Sequence, residues 1–218
     1  MAHFITFEGG EGSGKTTQVR QAGEFLRQRG IPFLLTEEPG GTSLGLKIRE
    51  LLLQRHAISI SALAELLLFE ASRCQHVETV IRPALRAGKV VLCDRYTDAT
   101  IAYQGFGRSL CPDRIRFLND LATDSLKPDW TFLLDVPAET GLARAIQRMN
   151  LEEHLPKEDR FEQETLAFHQ RVRDGYRTLA QAEPKRFIVL DGTKPVDELH
   201  QEICSRIEVW AGEKPDVI

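Results

Sequence analysis

The stretch Gly9-Gly10-Glu11-Gly12-Ser13-Gly14-Lys15-Thr16 follows the apolar run Phe4-Ile5-Thr6-Phe7, precedes a helix-like segment and has the form G-x-x-x-x-G-K-[ST]. Glycines free the backbone to turn N–H groups onto phosphate oxygens. Lys15 adds a point charge, and Thr16 puts a hydroxyl where a phosphate-bound Mg²⁺ would sit. A helix starting near Gly14 contributes the partial positive charge of its N-terminus. A plain glycine-rich turn would also fit the spacing, but strand, loop and helix occur in the order that phosphate binding requires. The stretch therefore points to a nucleoside triphosphate and leaves open what is done with it.

Outward from this loop, short apolar runs alternate with longer amphipathic ones, a pattern of parallel strands joined by crossover helices. Strands are expected over 3–8, 32–36, 89–94, 130–136 and 186–191. Ile5-Thr6-Phe7, Val90-Val91-Leu92 and Phe132-Leu133-Leu134 are almost wholly apolar, as in a sheet covered on both faces. Helices are expected over 14–29, 43–53, 61–87, 112–123, 138–149, 161–182 and 196–211, with Gly30 and Gly88 as C-terminal caps. In such a sheet ligands bind beyond the strand C-termini, where Glu8, Glu37, Glu38, Asp94 and Asp135 fall.

The 218 residues, 42% of them apolar, suit a single α/β domain over 1–212 with a polar tail at 213–218. A net charge of −4 and the lack of a long Lys/Arg block argue against a polymeric nucleic acid partner. Cys74, Cys93, Cys111 and Cys204 form no zinc-ligand spacing and suit a reducing cytoplasm. No charged-then-apolar leader and no apolar run near ~18 residues is present, so no membrane association is expected.

Five segments at the strand ends are candidates for chemistry. Thr36 to Thr42 (T-E-E-P-G-G-T) reads as a rigid turn before a helix carrying Arg49, or as an ordinary loop beside a solvated arginine. Phe69 and Arg73 share a helix face, where they could stack on and hydrogen-bond a planar base, or be a core Phe and a surface Arg. Asp94 and Arg95 close strand three, the acid placed to orient Mg²⁺ and the guanidinium to fork onto phosphate; a helix cap paired to its neighbour is the alternative. Thr100, Tyr103, Gln104, Gly105, Gly107 and Arg108 read as a loop whose composition favours ligand contact over packing. Arg144, Arg148, Lys157 and Arg160 border a charged break in periodicity, expected as a lid at about 148–160 or as a solvated loop. Asp191 to Pro195 reads as a turn at the edge of an adenine site.

Together these segments resemble the thymidylate kinase family in its bacterial form. The match runs through Phe4 to Gly9, Glu38 to Thr42 (E-P-G-G-T), Leu68 to Arg73 (L-F-E-A-S-R), Asp94-Arg95-Tyr96, Ala102-Tyr103-Gln104-Gly105, Asp159 to Glu162 (D-R-F-E) and Asp191-Gly192-Thr193, nearly the whole chain. The resemblance implies a P-loop NTPase-type α/β fold, a five-stranded parallel sheet with helices on both faces, and transfer of a phosphoryl group from ATP to dTMP with Mg²⁺, in a homodimer. It implies that Gly9, Gly10, Glu11, Gly12, Ser13, Gly14, Lys15, Thr16 and Thr17 hold the ATP phosphates, with Thr16 and Asp94 at the metal and Arg144 on the donor side. Arg95 and Arg49 would grip the acceptor phosphate and Phe69 would stack on thymine. Arg73 would reach the base O4, Thr100 its N3, and Tyr103 would crowd the sugar C2′. Glu8, Glu38, Pro39 and Gln104 complete the acceptor side. With Glu11 rather than a basic residue in the loop, the resemblance assigns the catalytic arginine to the lid, as Arg160 with Arg148.

Glu37 stands where the family commonly has arginine, Ala99 where it has serine, and the lid is longer and more acidic than usual. Other readings are a GTPase switch, a non-catalytic nucleotide-binding regulator and a kinase for another monophosphate. Against the switch, there is no Asn-Lys-x-Asp segment, and nothing follows strand three in the form Asp-x-x-Gly.

Overall fold

The structure, a computed structural model, describes residues 2–53, 59–151 and 160–212. Five parallel strands, β1 (Phe4–Glu8), β2 (Phe33–Glu37), β3 (Val90–Asp94), β4 (Trp130–Asp135) and β5 (Phe187–Asp191), form one sheet in the order β2-β3-β1-β4-β5. Each lies within a residue or so of its expected span. β1, buried at every position, sits between β3 and β4. The register pairs Phe7 with Asp94, Glu37 with Asp94, Glu8 with Leu133 and Asp135 with Asp191, so the acids that end the strands share one edge of the sheet.

Strand alternation divides the core between two faces. Ile5, Phe7, Leu92, Phe132 and Leu134 pack with helices α1 (Lys15–Gln28) and α9 (Val196–Gly212). On the opposite face Leu133 packs with α8 (Leu166–Ala182), and Phe4, Val91 and Cys93 with Val77, Ile81 and Tyr96. Helices α2 (Ser43–Leu53), α3 (Ala62–His76), α6 (Pro112–Thr123) and α7 (Ala138–Leu151) complete the layers. No helix among the described residues is long and apolar enough to cross a membrane.

Three expectations change. The helix expected over 61–87 is α3, then a π-helical turn at Val77–Ile81, then α4 (Arg82–Arg86). Pro83, at the start of α4, has no N–H for a continuous ladder. The segment read as a loop after Tyr96 is helical: α5 (Thr97–Thr100) runs into π-helical Ile101–Gly107. Composition misled here because Gly107 serves packing: a Cβ there would lie 2.6 Å from Phe168 Cε2. Last, α8 starts at Leu166 rather than 161, because the Thr165 side chain accepts from the backbone N–H of Phe168 and caps it, while Phe161 turns into the core. Most of the expected lid, 152–159 with Lys157, lies outside the described residues, as does the tail.

Candidate active site

At the C-terminal edge of β1 the chain turns through the glycine loop into α1. Gly12 has φ +62°, and a Cβ there would lie 2.0 Å from the carbonyl oxygen of Gly141. The loop is thus backed by α7, the helix that carries Arg144 and Arg148. Lys15 curls over the loop, its Nζ donating to Gly9 O (3.0 Å), Gly10 O (2.8 Å) and Ser13 Oγ (3.2 Å). Burial, reinforced by Arg95, lowers its pKa to about 8 against the pull of Glu11, Asp94 and Glu8. Thr16 Oγ1 donates to Asp94 Oδ2 at 2.6 Å, which joins the loop to the end of β3. Among the described residues no three His, Cys, Asp or Glu side chains gather as a metal-ligand set. A hydroxyl beside a carboxylate fits a hard cation that takes its remaining oxygens from phosphate and water, which is how Mg²⁺ is usually held.

Arg95 follows with φ +69°, a left-handed conformation uncommon for a residue with a side chain. Its guanidinium reaches back to the loop. Nη1 donates to Gly9 O (3.0 Å) and Tyr176 Oη (3.2 Å), and Nη2 to Glu11 Oε1 (3.0 Å). Tyr103 Oη donates to the same Glu11 oxygen at 2.7 Å, and the Arg95 guanidinium lies 4.9 Å from the Tyr103 ring centre. Burial opposes the Glu11 charge, but Arg95, Lys15 and the Tyr103 hydroxyl outweigh it and hold the pKa at about 2. Glu8, fully buried, accepts from Tyr96 N and Tyr176 Oη, both at 2.7 Å. There burial wins: with Asp98 adding repulsion, and against Arg95 and those two hydrogen bonds, its pKa rises to about 8.

The wall opposite the loop is built from α2, α3 and the Tyr96–Gly107 segment. Arg73 is 2% exposed and every one of its N–H groups is occupied. Nε meets Glu38 (2.8 Å), Nη1 Glu70 (2.7 Å) and Asn119 (2.8 Å), and Nη2 Tyr96 O (3.2 Å) and Thr100 Oγ1 (2.8 Å). No N–H of Arg73 is left over for a ligand unless a donor is shared, and one of them fixes the Thr100 hydroxyl. Phe69 is half-buried on the same helix face. Arg49 Nη1 donates to Glu37 Oε2 (3.1 Å) and Pro39 O (3.0 Å), so the acid that replaces the family's arginine is paired with Arg49.

Loop and wall enclose one cleft of about 540 Å³. It brings together Glu11 through Thr17 with Glu38, Pro39, Arg49, Phe69, Arg73, Asp94, Arg95, Thr100, Tyr103, Gln104 and Arg148. Glu8, Gly9 and Gly10 are not on its lining. Arg160 is not on its lining; it donates to Leu52 O (2.9 Å) and to Glu65 Oε2 (2.5 Å), a buried acid that also accepts from Gln104 and Arg108. Arg144 is likewise turned aside, donating to Gly192 O at 2.8 Å. Sequence reasoning missed Tyr176, Asn119 and Glu65, which carry no local motif. Glu162, quoted in the D-R-F-E motif but given no role there, is a cleft residue 3.7 Å from Arg148 that burial and the nearby Glu11 push up to about 7.

A parallel sheet with a phosphate-binding loop at its central strand, facing a second, base-sized wall across one cleft, defines a P-loop kinase of the nucleotide-kinase class. The chain belongs to the thymidylate kinase family, whose model matches residues 7–203. It is 51% identical over 209 residues to a thymidylate kinase of Syntrophus aciditrophicus, covering 96% of this chain and 95% of that one. It is 50% identical over 207 residues to that of Geotalea uraniireducens, covering 95% and 97%. A crystal structure of thymidylate kinase from Ehrlichia chaffeensis superposes with a TM-score of 0.74 at 35% identity, over 95% of this chain and 98% of that one.

Proposed function

We propose that the protein transfers the γ-phosphoryl group of ATP to dTMP. An oxygen of the dTMP phosphate attacks the γ-phosphorus in line, the bond from that phosphorus to the β,γ-bridging oxygen breaks, and ADP and dTDP leave. The observation that carries this reading is the single cleft in which Lys15 and the Thr16–Asp94 pair face Phe69, Arg73, Arg95 and Tyr103, in a chain of this family. The acceptor phosphate is already an anion at neutral pH, so no general base is needed.

Lys15 leaves its loop acceptors for the transferring phosphate, and Arg95 with Arg49 holds the acceptor phosphate. Phe69 stacks on the base, Thr100 and Arg73 read its edge, and Tyr103 packs against the sugar. Thr16 and Asp94 would hold Mg²⁺, which draws charge from the phosphate oxygens when bound. Arg148, on the cleft wall and 54% exposed, is the arginine best placed to meet the phosphoryl group. Arg160 serves the wall through Glu65. A homodimer belongs to the same reading, supported by exposed Leu63 and Leu67 on α3 and exposed Phe117 and Leu121 on α6, two helices that pack together; sedimentation at micromolar concentration tests it.

ADP production with dTMP, dUMP, dCMP, UMP, dGMP and AMP as acceptors tests the reaction. Dependence on dTMP is expected. Acceptor-independent hydrolysis would indicate an ATPase or switch, silence a regulator, and preference for another acceptor a different kinase.

A further inference from the structure

A line of hydrogen bonds, buried from His76 onward, runs behind the acceptor wall and ends at Thr100. Thr36, near the end of β2, places Oγ1 2.6 Å from His76 Nε2. His76 Nδ1 lies 2.9 Å from Glu38 Oε1, and the other oxygen of Glu38 accepts from Arg73 Nε at 2.8 Å. Arg73 Nη2 then donates to Thr100 Oγ1 at 2.8 Å. The His76 ring is fully buried and Glu38 is 5% exposed. Burial resists the Glu38 charge, but Arg73 and the His76 contact outweigh it and hold the pKa below the usual carboxylate value. An ionised carboxylate only accepts, so His76 Nδ1 is the donor to it.

The turn between β2 and α2 is shaped around this ring. Gly41 has φ +71°, and a Cβ there would lie 2.4 Å from both His76 Cδ2 and Nε2. The second glycine of the E-P-G-G-T turn thus does two things, adopting a left-handed conformation and letting the turn close over the imidazole. His76 is three residues beyond Arg73 on α3, so one helix face supplies both the arginine and the group that fixes its carboxylate partner.

We propose that His76 is a positioning residue for acceptor recognition, holding Glu38 so that Glu38 fixes the fork of Arg73 and, through it, the Thr100 hydroxyl at the base edge. Glu38 left with Arg73 alone would no longer be anchored at its second oxygen, so the Arg73 fork could shift toward its other acceptors, Glu70 and Asn119, and the donors facing the base would lose their single orientation. The line touches only the acceptor wall, so its loss is felt by the acceptor and not by ATP. This inference rests on the proposed dTMP acceptor.

The test is steady-state kinetics of full-length His76→Ala, His76→Asn and Thr36→Val beside the unmodified protein, each checked for folding by thermal melting. His76→Ala should raise KM for dTMP about tenfold, with KM for ATP within twofold and kcat within about threefold, the loss expected for one hydrogen bond to a charged group. Asparagine can offer its amide N–H where Nδ1 stood, so His76→Asn should recover most of the dTMP KM. Thr36→Val should give a smaller rise of about two- to threefold. Unchanged KM for dTMP in His76→Ala, or equal rises for dTMP and ATP, overturns the role. Should the buried substitutions fail to fold, Thr36→Val decides alone, an unaltered dTMP KM counting against the proposal. An unmodified protein that does not turn over dTMP is a failure of the proposed function and takes this role with it. Normal turnover with an unaffected His76→Ala is a failure of the relay alone.

Discussion

The two halves of the cleft are built by different physics. The donor half comes from one contiguous stretch. Backbone N–H groups, the start of α1 and a lysine held by carbonyls of its own loop form the phosphate cradle, which Asp94, Arg95 and Tyr103 brace from outside. The acceptor half is gathered from β2, α3, the Tyr96–Gly107 segment and α6, and it is held by buried charged groups. Arg73 alone has two carboxylate partners, Glu38 and Glu70. A local motif tolerates drift elsewhere in the chain. A buried ionic network does not, because removing one partner leaves another charge desolvated and unpaired. Substitutions in the donor half should therefore cost turnover with little loss of stability, whereas those behind the acceptor half should cost recognition and stability together.

The most severe break falls on the loop. Lys15→Ala should lower kcat on the order of 10³-fold or more, since it removes a buried point charge from the transferring group. Calorimetry should find dTMP affinity within about threefold of the unmodified protein. A matching loss of dTMP binding would show that the halves are not separable. Arg148 and Arg160 make the next comparison. Arg148→Ala should lower kcat about 10²–10³-fold with the melting temperature unchanged. Arg160→Ala leaves Glu65 with fewer donors, so it should lower the melting temperature by about 4–8 °C with less than about a tenfold effect on kcat. The reverse pattern would return the catalytic role to Arg160.

That comparison also marks the limit of sequence reading. The phosphate loop, the five strands along the chain and the nearness of Thr16 and Asp94 were legible, because each is a local pattern or follows from strands that end at one edge. Helical spacing put Phe69 and Arg73 on one face but left a core Phe with a surface Arg open; the structure puts both on the cleft, with Arg73 buried. Arg148 and Arg160 were not separable, because what distinguishes them is Glu65, whose sequence separation from Arg160 is 95 residues. The segment from Thr100 to Arg108 was misread because a glycine that admits an aromatic ring between helices, as Gly107 does, looks in composition like a glycine in a loop. His76, Asn119 and Tyr176 carried no signal, since a buried polar residue is defined by its partners and not by its neighbours in the chain.

A smaller effect concerns the sugar. Tyr103 is buried with its ring against Arg95 and its hydroxyl on Glu11. Tyr103→Ala should open space beside the acceptor and reduce discrimination between dTMP and its ribose counterpart about tenfold, read as the ratio of kcat/KM values. Tyr103→Phe removes only the hydroxyl contact with Glu11, so it should keep that discrimination. Equal relaxation in both variants would mean that the hydroxyl and not the ring sets the preference.

The smallest expected effect separates the halves by the sign of their pH dependence. Glu8, beneath the acceptor wall, has its pKa raised from 4.5 to about 8 by burial. Between those values the folded protein holds a proton that the unfolded chain has lost, so stability falls as pH rises from about 5 to about 8. Glu162, raised to about 7, pulls in the same direction. The loop groups act outside this window. Glu11, lowered to about 2, stabilises progressively as pH rises from about 2 to 4.5, and Lys15, lowered from 10.5 to about 8, does so between about 8 and 10.5. Glu8→Gln keeps an acceptor for Tyr96 N but cannot ionise. Its melting temperature should therefore fall less between pH 5 and pH 8, by about 3–6 °C relative to the unmodified protein. Parallel pH profiles for the two proteins would mean that Glu8 is ionised in the fold, and the buried acid would then belong with Glu11 as a partner of Arg95.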